Sequence, residues 1–587
     1  SDMKHPSNAP RLRWQYKQLV APYWHSERKW AVRSAFAMLV GLTLAQVGLA
    51  IWASYWQRAL FDALEARSLD DLLVQVGIFV IILILTMVVV ALHLHVKRWL
   101  QLDWRRWLTD LLLNKWLQRG HHYQLQYTTG EHDNPDARIA EDIRIATESA
   151  IGLAHSLLYS ILILGSFIDI LHSVSGSLNI PGTSIEVPGY LVILAFLYAG
   201  IGSVLGLMLG RPLTRATNRL QTVEANLRFG LARAREKSEP IALMRGEEIE
   251  RAHAHDLFQD VGKGWNRQTF GYLGIVTFSA GYGFLLPIFP ILVAAPQYIA
   301  GAMTLGVLMQ AAQAFQRLTS ALSWPIDNLG ELAKCRASAD RVATLYNDIL
   351  QLEEMANRPV EHRIELRHGR ACELVLNDLR LANQDGTVLV ENLNVTIRRG
   401  ERILITGDPA VTISLFKAVA GLWPWGNGEI LLPDDISIMF LPQRPFLPDG
   451  TLLNALSYPY PSDHFSPASI KHALECAGIA WLAPRLEDID IWDRNLPLRA
   501  QQRLGMARMF LQEPAWVFIE EATDAFDPKG EDCMMDMIRR ELPNTTQLTI
   551  SFHAELDHHY TRKLVLNRLQ EPSILVCSTD QCQLRKR

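Results

Sequence analysis

The segment at residues 401–421 has the pattern of a phosphate-binding site. An aliphatic run ends at Gly407, and a second apolar run suited to a helix covers residues 415–421. A strand, a glycine and a helix in this order place the helix N-terminus, with its free backbone amides, where phosphate groups bind. The loop between them has no lysine, Pro409 removes one amide, and Asp408 adds a negative charge. The pattern predicts a phosphate site that has lost part of its chemistry.

Five further segments with polar residues follow along the chain, and their order indicates the kind of domain to which this phosphate-site pattern belongs. They lie in Phe440–Pro445 around Gln443, in Leu496–Arg503, in Trp516–Thr523 with Glu520 and Glu521, in Asp524–Asp527, and in Ile550–His553. In order and spacing, these segments resemble the nucleotide-binding domain of ABC ATPases over nearly all of residues 363–570. The resemblance implies a cytoplasmic α/β domain that, when intact, binds ATP with magnesium.

The resemblance also implies a role for each position. Gly407 and Ser414 correspond to the phosphate loop, Gln443 to the Q-loop, Glu520 to the magnesium-positioning Walker B aspartate, Glu521 to the general base, Asp527 to the D-loop, and His553 to the switch histidine. We take Glu521 and His553 as vestigial catalytic candidates. The other five are candidates for a degenerate nucleotide site, and the cysteine spacing predicts no metal site.

Several of the charged and flexible parts of this site are missing. The phosphate-loop lysine is absent, and the signature serine, glycine and glutamate correspond to Pro497, Arg499 and Ala500. Phosphoryl transfer depends on positioning and charge neutralisation, so such losses multiply. ABC sites combine the loop of one subunit with the signature of the other, so a homodimer would have two doubly damaged sites. We expect little or no ATP hydrolysis and assign no cofactor, with ATP and magnesium as the alternative.

The first half of the chain supplies the elements of a membrane domain. Nearly half of all residues are hydrophobic (49%) and only 20% are charged. Five long stretches contain no Asp, Glu, Lys or Arg: Ser34–Gln57, Leu72–Val96, Ser149–Ile168, Val187–Gly210 and Gln268–Gln316. A bilayer span needs about 20 apolar residues, so the last stretch fits two spans with a turn near Pro296–Gly301. The stretches therefore predict six transmembrane helices. The long loops between spans two and three and between spans four and five are expected to continue the spans as helices.

These observations predict a helical polytopic membrane domain, similar to that of ABC exporters, followed by the α/β domain. The predicted boundaries are an interfacial helix at 1–30, the six-helix domain at 31–340, a linker at 341–362 and the nucleotide-binding-like domain at 363–587. Basic residues concentrate before the first span and in the second and fourth loops, which places both termini in the cytoplasm of a bacterial inner membrane. A net charge of −4 gives no basic face for nucleic acid.

Two polar segments indicate a narrower group of transporters within the ABC-like proteins. Gly130–Asp136 with Arg138–Asp142 resembles a loop of the SbmA/BacA-like peptide-uptake transporters, and Glu236–Glu247 resembles a motif shared by that group and the peroxisomal fatty-acyl ABC transporters. The alternative interpretation is that these charged residues only solvate helical extensions. The resemblance implies a homodimer that imports peptide-like cargo, with cationic antimicrobial peptides as the favoured class, driven by protons.

Proton coupling requires protonatable groups along a path through the helix bundle. The candidates are Asp169 near the outer end of the third span and, on the cytoplasmic side, Glu141, Glu148, Glu224, Glu236 and Glu239. His93, His95 and His155 are further candidates, because histidine is the residue type whose ordinary pKa lies closest to neutral. Acidic residues predominate in the outer segments, which would concentrate a cationic cargo. Two alternatives stay open: an ATP-driven transporter of lipid, acyl or vitamin-like cargo, and a non-transporting membrane scaffold.

Overall fold

The computed structural model describes residues 19–127, 135–179, 186–356, 364–369, 372–383, 385–433, 437–551 and 554–568. The chain divides into two compact units. The first comprises residues 1–114 and 133–347, and the second comprises residues 115–132 and 348–587. The domain boundaries predicted at residues 30, 340 and 362 stay predictions.

The first half of the chain is helical. Its elements are α1 Ala21–Trp24, α2 Lys29–Glu65, α3 Leu69–Leu117, α4 His121–Gln124, α5 Pro135–Ala137, α6 Ile143–Ser175, the hairpin β1 Ser177–Asn179 and β2 Glu186–Pro188, α7 Tyr190–Glu236, α8 Ser238–Leu243, α9 Glu247–Ile299, α10 Leu305–Asp327 and α11 Leu329–Ala356. A π-helical turn, Arg138–Asp142, joins α5 to α6. Helices α3, α7 and α9 are 49, 47 and 53 residues long. The expectation that the long loops continue the spans as helices is thus confirmed.

Five of the described helical segments are long and apolar enough to cross a bilayer: α2, α3, α5 with α6, α7 and α9. Helix α10 begins where the sixth predicted span should lie, after a break at residues 300–304 in which Gly301 adopts a φ of 74°. It falls outside this group because it carries Gln310, Gln316 and Arg317 among its apolar residues. The helical membrane unit is confirmed, with five such spans and one more polar helix.

The core of this unit lies where α2, α6, α7, α9 and α10 meet. Phe167, Leu191, Phe315 and Leu318 have no exposed surface. Alanines fill the same cluster at Ala195, Ala294, Ala311 and Ala314. Small side chains at helix contacts let the backbones approach closely, which is how helices pack when the surrounding solvent is also apolar.

The second unit is built on two sheets. Its strands are β3 Ile364–His368, β4 Glu373–Ala382, β5 Val388–Arg398, β6 Arg402–Gly407, β7 Gly426–Leu432, β8 Ile438–Leu441, β9 Gly450–Thr451, β10 Ile489–Asp490, β11 Trp516–Glu520, β12 Thr546–Ile550 and β13 Arg562–Leu566. Its helices are α12 Pro409–Val419, α13 Leu452–Ser457, α14 Pro467–Cys476, α15 Trp492–Asn495, α16 Leu498–Gln512 and α17 Pro528–Glu541. The predicted α/β domain is confirmed.

A five-stranded parallel sheet positions the candidate site. Its strand order is β13-β6-β12-β11-β8, and a four-stranded sheet of order β3-β7-β4-β5 lies in the same unit. The register pairs Ile405 with Ile550, Ile550 with Glu520, and Ile519 with Leu441. Strands β6, β12, β11 and β8 therefore end at one edge. In open parallel sheets, ligands bind outside the carboxyl ends of the strands, which is where the sequence placed its candidates.

A segment from the first half of the sequence folds with this second unit. Lys115 Nζ lies 3.0 Å from Glu353 Oε1, and Gln124 Nε2 donates to the Gly421 carbonyl at 3.4 Å. The ammonium of Lys417 lies 5.7 Å from the ring centres of both Tyr123 and Trp423. Residues 115–127 thus form part of the packed surface of the α/β unit.

Candidate functional site

Gly407 ends β6 at the start of the predicted phosphate loop. Its φ is 125°, and a Cβ built on it would lie 2.0 Å from the Leu566 carbonyl oxygen of β13. An L-residue would therefore be strained here and would collide with backbone. The glycine is required by the close approach of β13, whether or not the loop binds phosphate.

Asp408 occupies the position from which a phosphate would contact α12. It is the N-cap of this helix, and its Oδ1 accepts a hydrogen bond from the Ala410 amide at 2.7 Å. The Val411 and Thr412 amides both donate to the Asp408 carbonyl at 3.1 Å, and Pro409 has no amide. The first-turn donors that would bind an anion are thus engaged within the chain, and a carboxylate already interacts with the positive end of the helix dipole.

Ser414 does not lie in this first turn. It is the sixth residue of α12 and is 5% exposed. A hydroxyl in the second turn, turned into the core, is poorly placed to reach a metal bound at the helix N-terminus. The structure therefore separates Ser414 from the loop residues with which it was predicted to act.

Glu520 and Glu521 lie at the carboxyl end of β11. Burial raises the pKa of the Glu520 carboxyl, the neighbouring Glu521 raises it further, and Lys417 opposes both effects. Glu521 has a φ of 45°, its amide donates to the Ile550 carbonyl at 3.0 Å, and its carbonyl accepts from the Asp524 amide at 3.3 Å. A left-handed conformation costs a residue other than glycine roughly 1–2 kcal/mol. The strand end is therefore a strained turn that carries two acids.

The raised pKa of Glu520 predicts a pH-dependent stability. Because the folded-state pKa lies above the unfolded value of about 4.3, the contribution of this group is fully present below that pH and is lost as pH rises through the folded pKa. We expect Glu520→Gln to unfold at a higher temperature than the parent chain at pH 7.5, with the difference shrinking towards pH 4. Scanning calorimetry measures both. The exposed Glu487→Gln is the matched control, and an equal effect of that variant would contradict the prediction.

Two glutamines from different segments donate hydrogen bonds to the carboxylate of Asp524. Gln443 Nε2 donates to Asp524 Oδ2 at 2.6 Å, and Gln502 Nε2 donates to the other carboxylate oxygen. Gln502 also donates to the Gln443 carbonyl at 3.0 Å and accepts from the Ala525 amide at 3.2 Å. The Q-loop amide is therefore engaged within the protein. Sequence reasoning did not single out Gln502, because its role depends on two segments that are distant in the chain.

Arg499, which replaces the signature glycine, forms an ion pair with Asp527. Its Nη2 lies 2.6 Å from Asp527 Oδ1, and both side chains are about half exposed. The predicted nucleotide-site aspartate is thus paired with a residue of its own chain. The remaining candidate on this side, His553, lies outside the described residues.

The predicted acidic route does not form one cluster among the described residues. Glu148 lies between Arg98 at 3.4 Å and Arg144 at 3.5 Å, so it belongs to an intrahelical and interhelical ion-pair group. The other candidates are exposed at separate positions on three elements and a turn: Glu141 in the π-helical turn, Asp169 on α6, Glu224 and Glu236 on α7, and Glu239 on α8.

Two of the predicted histidines do meet inside the membrane unit. His93 Nε2 on α3 lies 3.0 Å from His155 Nδ1 on α6, and Thr43 Oγ1 on α2 lies 3.1 Å from the same nitrogen. The Thr43 hydroxyl also donates to the Leu39 carbonyl at 2.8 Å, and the tautomers of the two histidines decide which ring nitrogen donates between them. His93 is 5% exposed. His95, two residues along α3, is exposed and outside this cluster.

An apolar cavity of about 260 Å³ borders His155. Its walls come from α1, α2, α3 and α6 and include Tyr23, Phe36, Trp104, Thr43 and His155. His155 therefore has apolar space on one side, and its contact with Thr43 lies in the same wall.

Comparison with known proteins shows what the membrane unit is similar to. Residues 17–296 match the family described as ABC transporter transmembrane region 2. The membrane unit is thus similar to the transmembrane region of ABC transporters. An uncharacterized ABC transporter ATP-binding protein of Haemophilus influenzae is 29% identical over 90% of this chain and 88% of its own length. The inner membrane ABC transporter ATP-binding protein YddA of Escherichia coli is 28% identical over 92% and 94%.

More distant relatives extend to eukaryotes. The human lysosomal cobalamin transporter ABCD4 is 25% identical over 74% of this chain and 75% of its own length. ABC transporter D family member 2, chloroplastic, of Arabidopsis thaliana is 26% identical over 91% and 84%. These similarities support a multi-pass membrane protein.

Two buried acids of the membrane unit were not predicted as functional residues. Asp142 accepts from Arg341 Nε at 2.7 Å and from Ser338 Oγ at 3.0 Å, which ties the start of α6 to α11. Asp103 accepts from the Tyr23 hydroxyl at 3.1 Å and pairs with Arg28. A sequence shows an acid in a helix but not its partner, so neither pair could be found from spacing alone.

The predicted outer acidic surface includes two carboxylates with a structural role. Asp62 Oδ1 accepts from the Gly306 amide at 3.0 Å, and Glu65 Oε2 accepts from the Leu305 amide at 2.8 Å. These amides belong to the first turn of α10, where carboxylates stabilise the helix dipole. The approach is close, because a Cβ on Gly306 would lie 2.2 Å from the Arg58 carbonyl oxygen.

Proposed function

We propose that this chain is a bacterial inner-membrane transporter that imports peptide-like cargo with the proton gradient, and that its nucleotide-binding-like unit hydrolyses little or no ATP. The observation that carries the proposal is the N-terminus of α12. The Asp408 carboxylate accepts from the Ala410 amide there, and Pro409 supplies no donor. A nucleotide phosphate would have to displace an anion that is part of the chain.

The Arg499–Asp527 pair supports the same conclusion from the other side of a composite site. In a homodimer, the signature segment of one copy would face the phosphate loop of its partner. Arg499 brings a side chain where a glycine would allow close approach, and its charge is already paired with Asp527. In a homodimer of this chain, the loop that carries the Asp408 carboxylate would face a signature segment in which the Arg499 side chain replaces the glycine. We propose that the unit is retained for dimerisation.

The histidine pair supports the proton as the driving ion. In the neutral pair, one proton lies between His93 Nε2 and His155 Nδ1, which are 3.0 Å apart. A second proton, added to whichever of the two nitrogens accepts, would place two donors face to face, so the bond between α3 and α6 would break. Lys97, one turn along α3, and Tyr159, one turn along α6, are the titratable groups next to the pair on these helices. Protonation would thus change the contact between two spans, which is the coupling that transport requires.

The cargo class rests on charge and on resemblance. With Asp62 and Glu65 engaged at α10, the exposed acids Asp70, Asp71 and Asp169 remain to attract cations. Basic residues before α2, in the second half of α3 and in the second half of α7 would orient the unit with these acids outside and both termini in the cytoplasm. A cationic peptide is the cargo that this charge distribution favours.

Uptake by sealed vesicles tests the proposal. The full chain is reconstituted in liposomes, and accumulation of a fluorescent cationic peptide is measured with an imposed pH gradient, with Mg-ATP on the side of the nucleotide-binding-like unit, and with both. We expect accumulation with the pH gradient alone, its loss on addition of a protonophore, and no effect of ATP. Accumulation that requires ATP and ignores the pH gradient would contradict the proposal.

A second candidate is an ATP-driven transporter of lipid, acyl or vitamin-like cargo. Similarity to the human lysosomal cobalamin transporter favours it, since that name states a vitamin cargo. The same vesicles distinguish the two functions when they are offered labelled cobalamin and a labelled fatty acyl-CoA with Mg-ATP.

A further inference from the structure

A cluster of three possible metal ligands lies in the second unit, away from the phosphate loop. His472 and Cys476 are on α14, and Glu541 is the last residue of α17. Their donor atoms all lie within 4.8 Å of one another. Neither the degenerate nucleotide site nor the histidine pair uses any of these residues.

The two residues on α14 are spaced so that both can bind the same metal ion. Positions i and i+4 of a helix lie one above the other on the same face. His472 Nε2 is 3.5 Å from Cys476 Sγ and 3.1 Å from Glu541 Oε2. Zinc bonds of 2.0–2.3 Å in a tetrahedron separate neighbouring ligand atoms by about 3.3–3.8 Å. The measured separations therefore need only small adjustments to bind one ion.

We infer that His472, Cys476 and Glu541 form a site for a borderline-soft divalent cation of the zinc class. Nitrogen, sulfur and carboxylate oxygen are the ligands that Zn²⁺ takes, and a thiolate disfavours Mg²⁺ and Ca²⁺. Three protein ligands leave a fourth position for a water or another ligand. The site would join α14 to the end of α17, the helix that follows Asp527.

The surroundings of the thiol favour a cation. The Glu541 carboxylate lies within 4.8 Å of the thiol, and Glu475 precedes Cys476 on α14. A divalent cation bound between these groups would stabilise the thiolate directly. His472 is 62% exposed, so an ion can reach the cluster from solvent.

The alternative interpretation is an ordinary ion pair. A protonated His472 bonded to Glu541, with Cys476 packed beneath it, would give the same distances without an ion. Arg540 Nε also lies 3.5 Å from Glu541 Oε1 and competes for that carboxylate. A readout specific to metal–sulfur bonding separates the two interpretations.

Cobalt(II) provides that readout. The full chain, reduced and treated with a chelator, is titrated with Co²⁺ while absorption is recorded. We expect a sulfur-to-cobalt charge-transfer band in the near ultraviolet and intense visible bands of tetrahedral Co²⁺, both removed by Zn²⁺. A second histidine cluster, Asp532 with His558 and His559, contains no sulfur, so binding there would not give the charge-transfer band.

Variants locate the site. Cys476→Ser should abolish the band, while Cys533→Ser and Cys372→Ser, which alter exposed cysteines, should keep it. His472→Ala, at an exposed position, should weaken Co²⁺ binding at least tenfold and covers the case in which Cys476→Ser fails to fold. Absence of the band in the parent chain, its persistence in either ligand variant, or its loss in a control would overturn the inference. None of these outcomes depends on transport or on ATP.

Discussion

Purified chain should hydrolyse Mg-ATP about 10⁴- to 10⁶-fold more slowly than an intact ABC transporter, and Glu521→Gln should leave the residual rate unchanged. Each lost electrostatic group costs about 10²–10³ in rate, and here the phosphate-loop lysine and the signature glycine are both replaced. Phosphate release under identical detergent and lipid conditions measures the effect. An intact ABC transporter with its own catalytic glutamate replaced sets the background.

The structure allows the cause to be tested as well as the rate. Asn caps a helix about as well as Asp, so Asp408→Asn should keep α12 while removing the charge. A unit charge 4 Å from a phosphate oxygen is worth about 1 kcal/mol even in water, so we expect a fluorescent ATP analogue to bind at least roughly fivefold tighter to this variant. Asp463→Asn, at an exposed position, should change nothing. A parent chain that turns over ATP, with loss in Glu521→Gln, would contradict the degenerate-site interpretation.

Replacing His93 or His155 by Gln should reduce proton-driven uptake at least tenfold. Gln keeps a hydrogen-bonding side chain but cannot carry the proton that would break the bond between α3 and α6. His95→Gln is the matched control, because His95 is exposed on the same helix two residues away. Uptake into liposomes under an imposed pH gradient measures the loss.

A structural role for the histidines would give a different pattern. Exchange of labelled for unlabelled cargo at equal pH on both sides does not require net proton movement. We therefore expect His93→Gln and His155→Gln to retain this exchange while losing accumulation. Loss of both activities would indicate a folding defect, and an equal loss in His95→Gln would remove the histidine pair from the proposed mechanism.

The sequence predicted the architecture because its signals are local. Charge-free stretches predicted long helices, and Gly407 between two apolar runs predicted the strand and helix that the structure contains. The sequence also indicated that Asp408 and Pro409 would harm phosphate binding. It could not show that the Asp408 carboxylate accepts from Ala410, since capping depends on the backbone angles of the loop.

Residues that act through distant partners were harder to predict. Glu148 is a candidate proton carrier by its type, and only the structure shows that Arg98 from another helix lies 3.4 Å from it. Asp62 and Glu65 counted as an outer acidic surface, yet they bind amides some 240 residues away. In each case the chemistry of the side chain was clear from its type, whereas its role depended on helix packing that no short pattern encodes.

The packing of residues 115–127 against the second unit bears on how this protein can be dissected. A gene fragment beginning at residue 348 would encode every strand of the α/β fold but would omit Tyr123, which covers Lys417, and Gln124, which bonds to Gly421. The α/β unit is therefore not encoded by one continuous stretch of the sequence. A stable fragment would have to join residues 115–127 back onto it, for instance through a short designed linker ahead of residue 348.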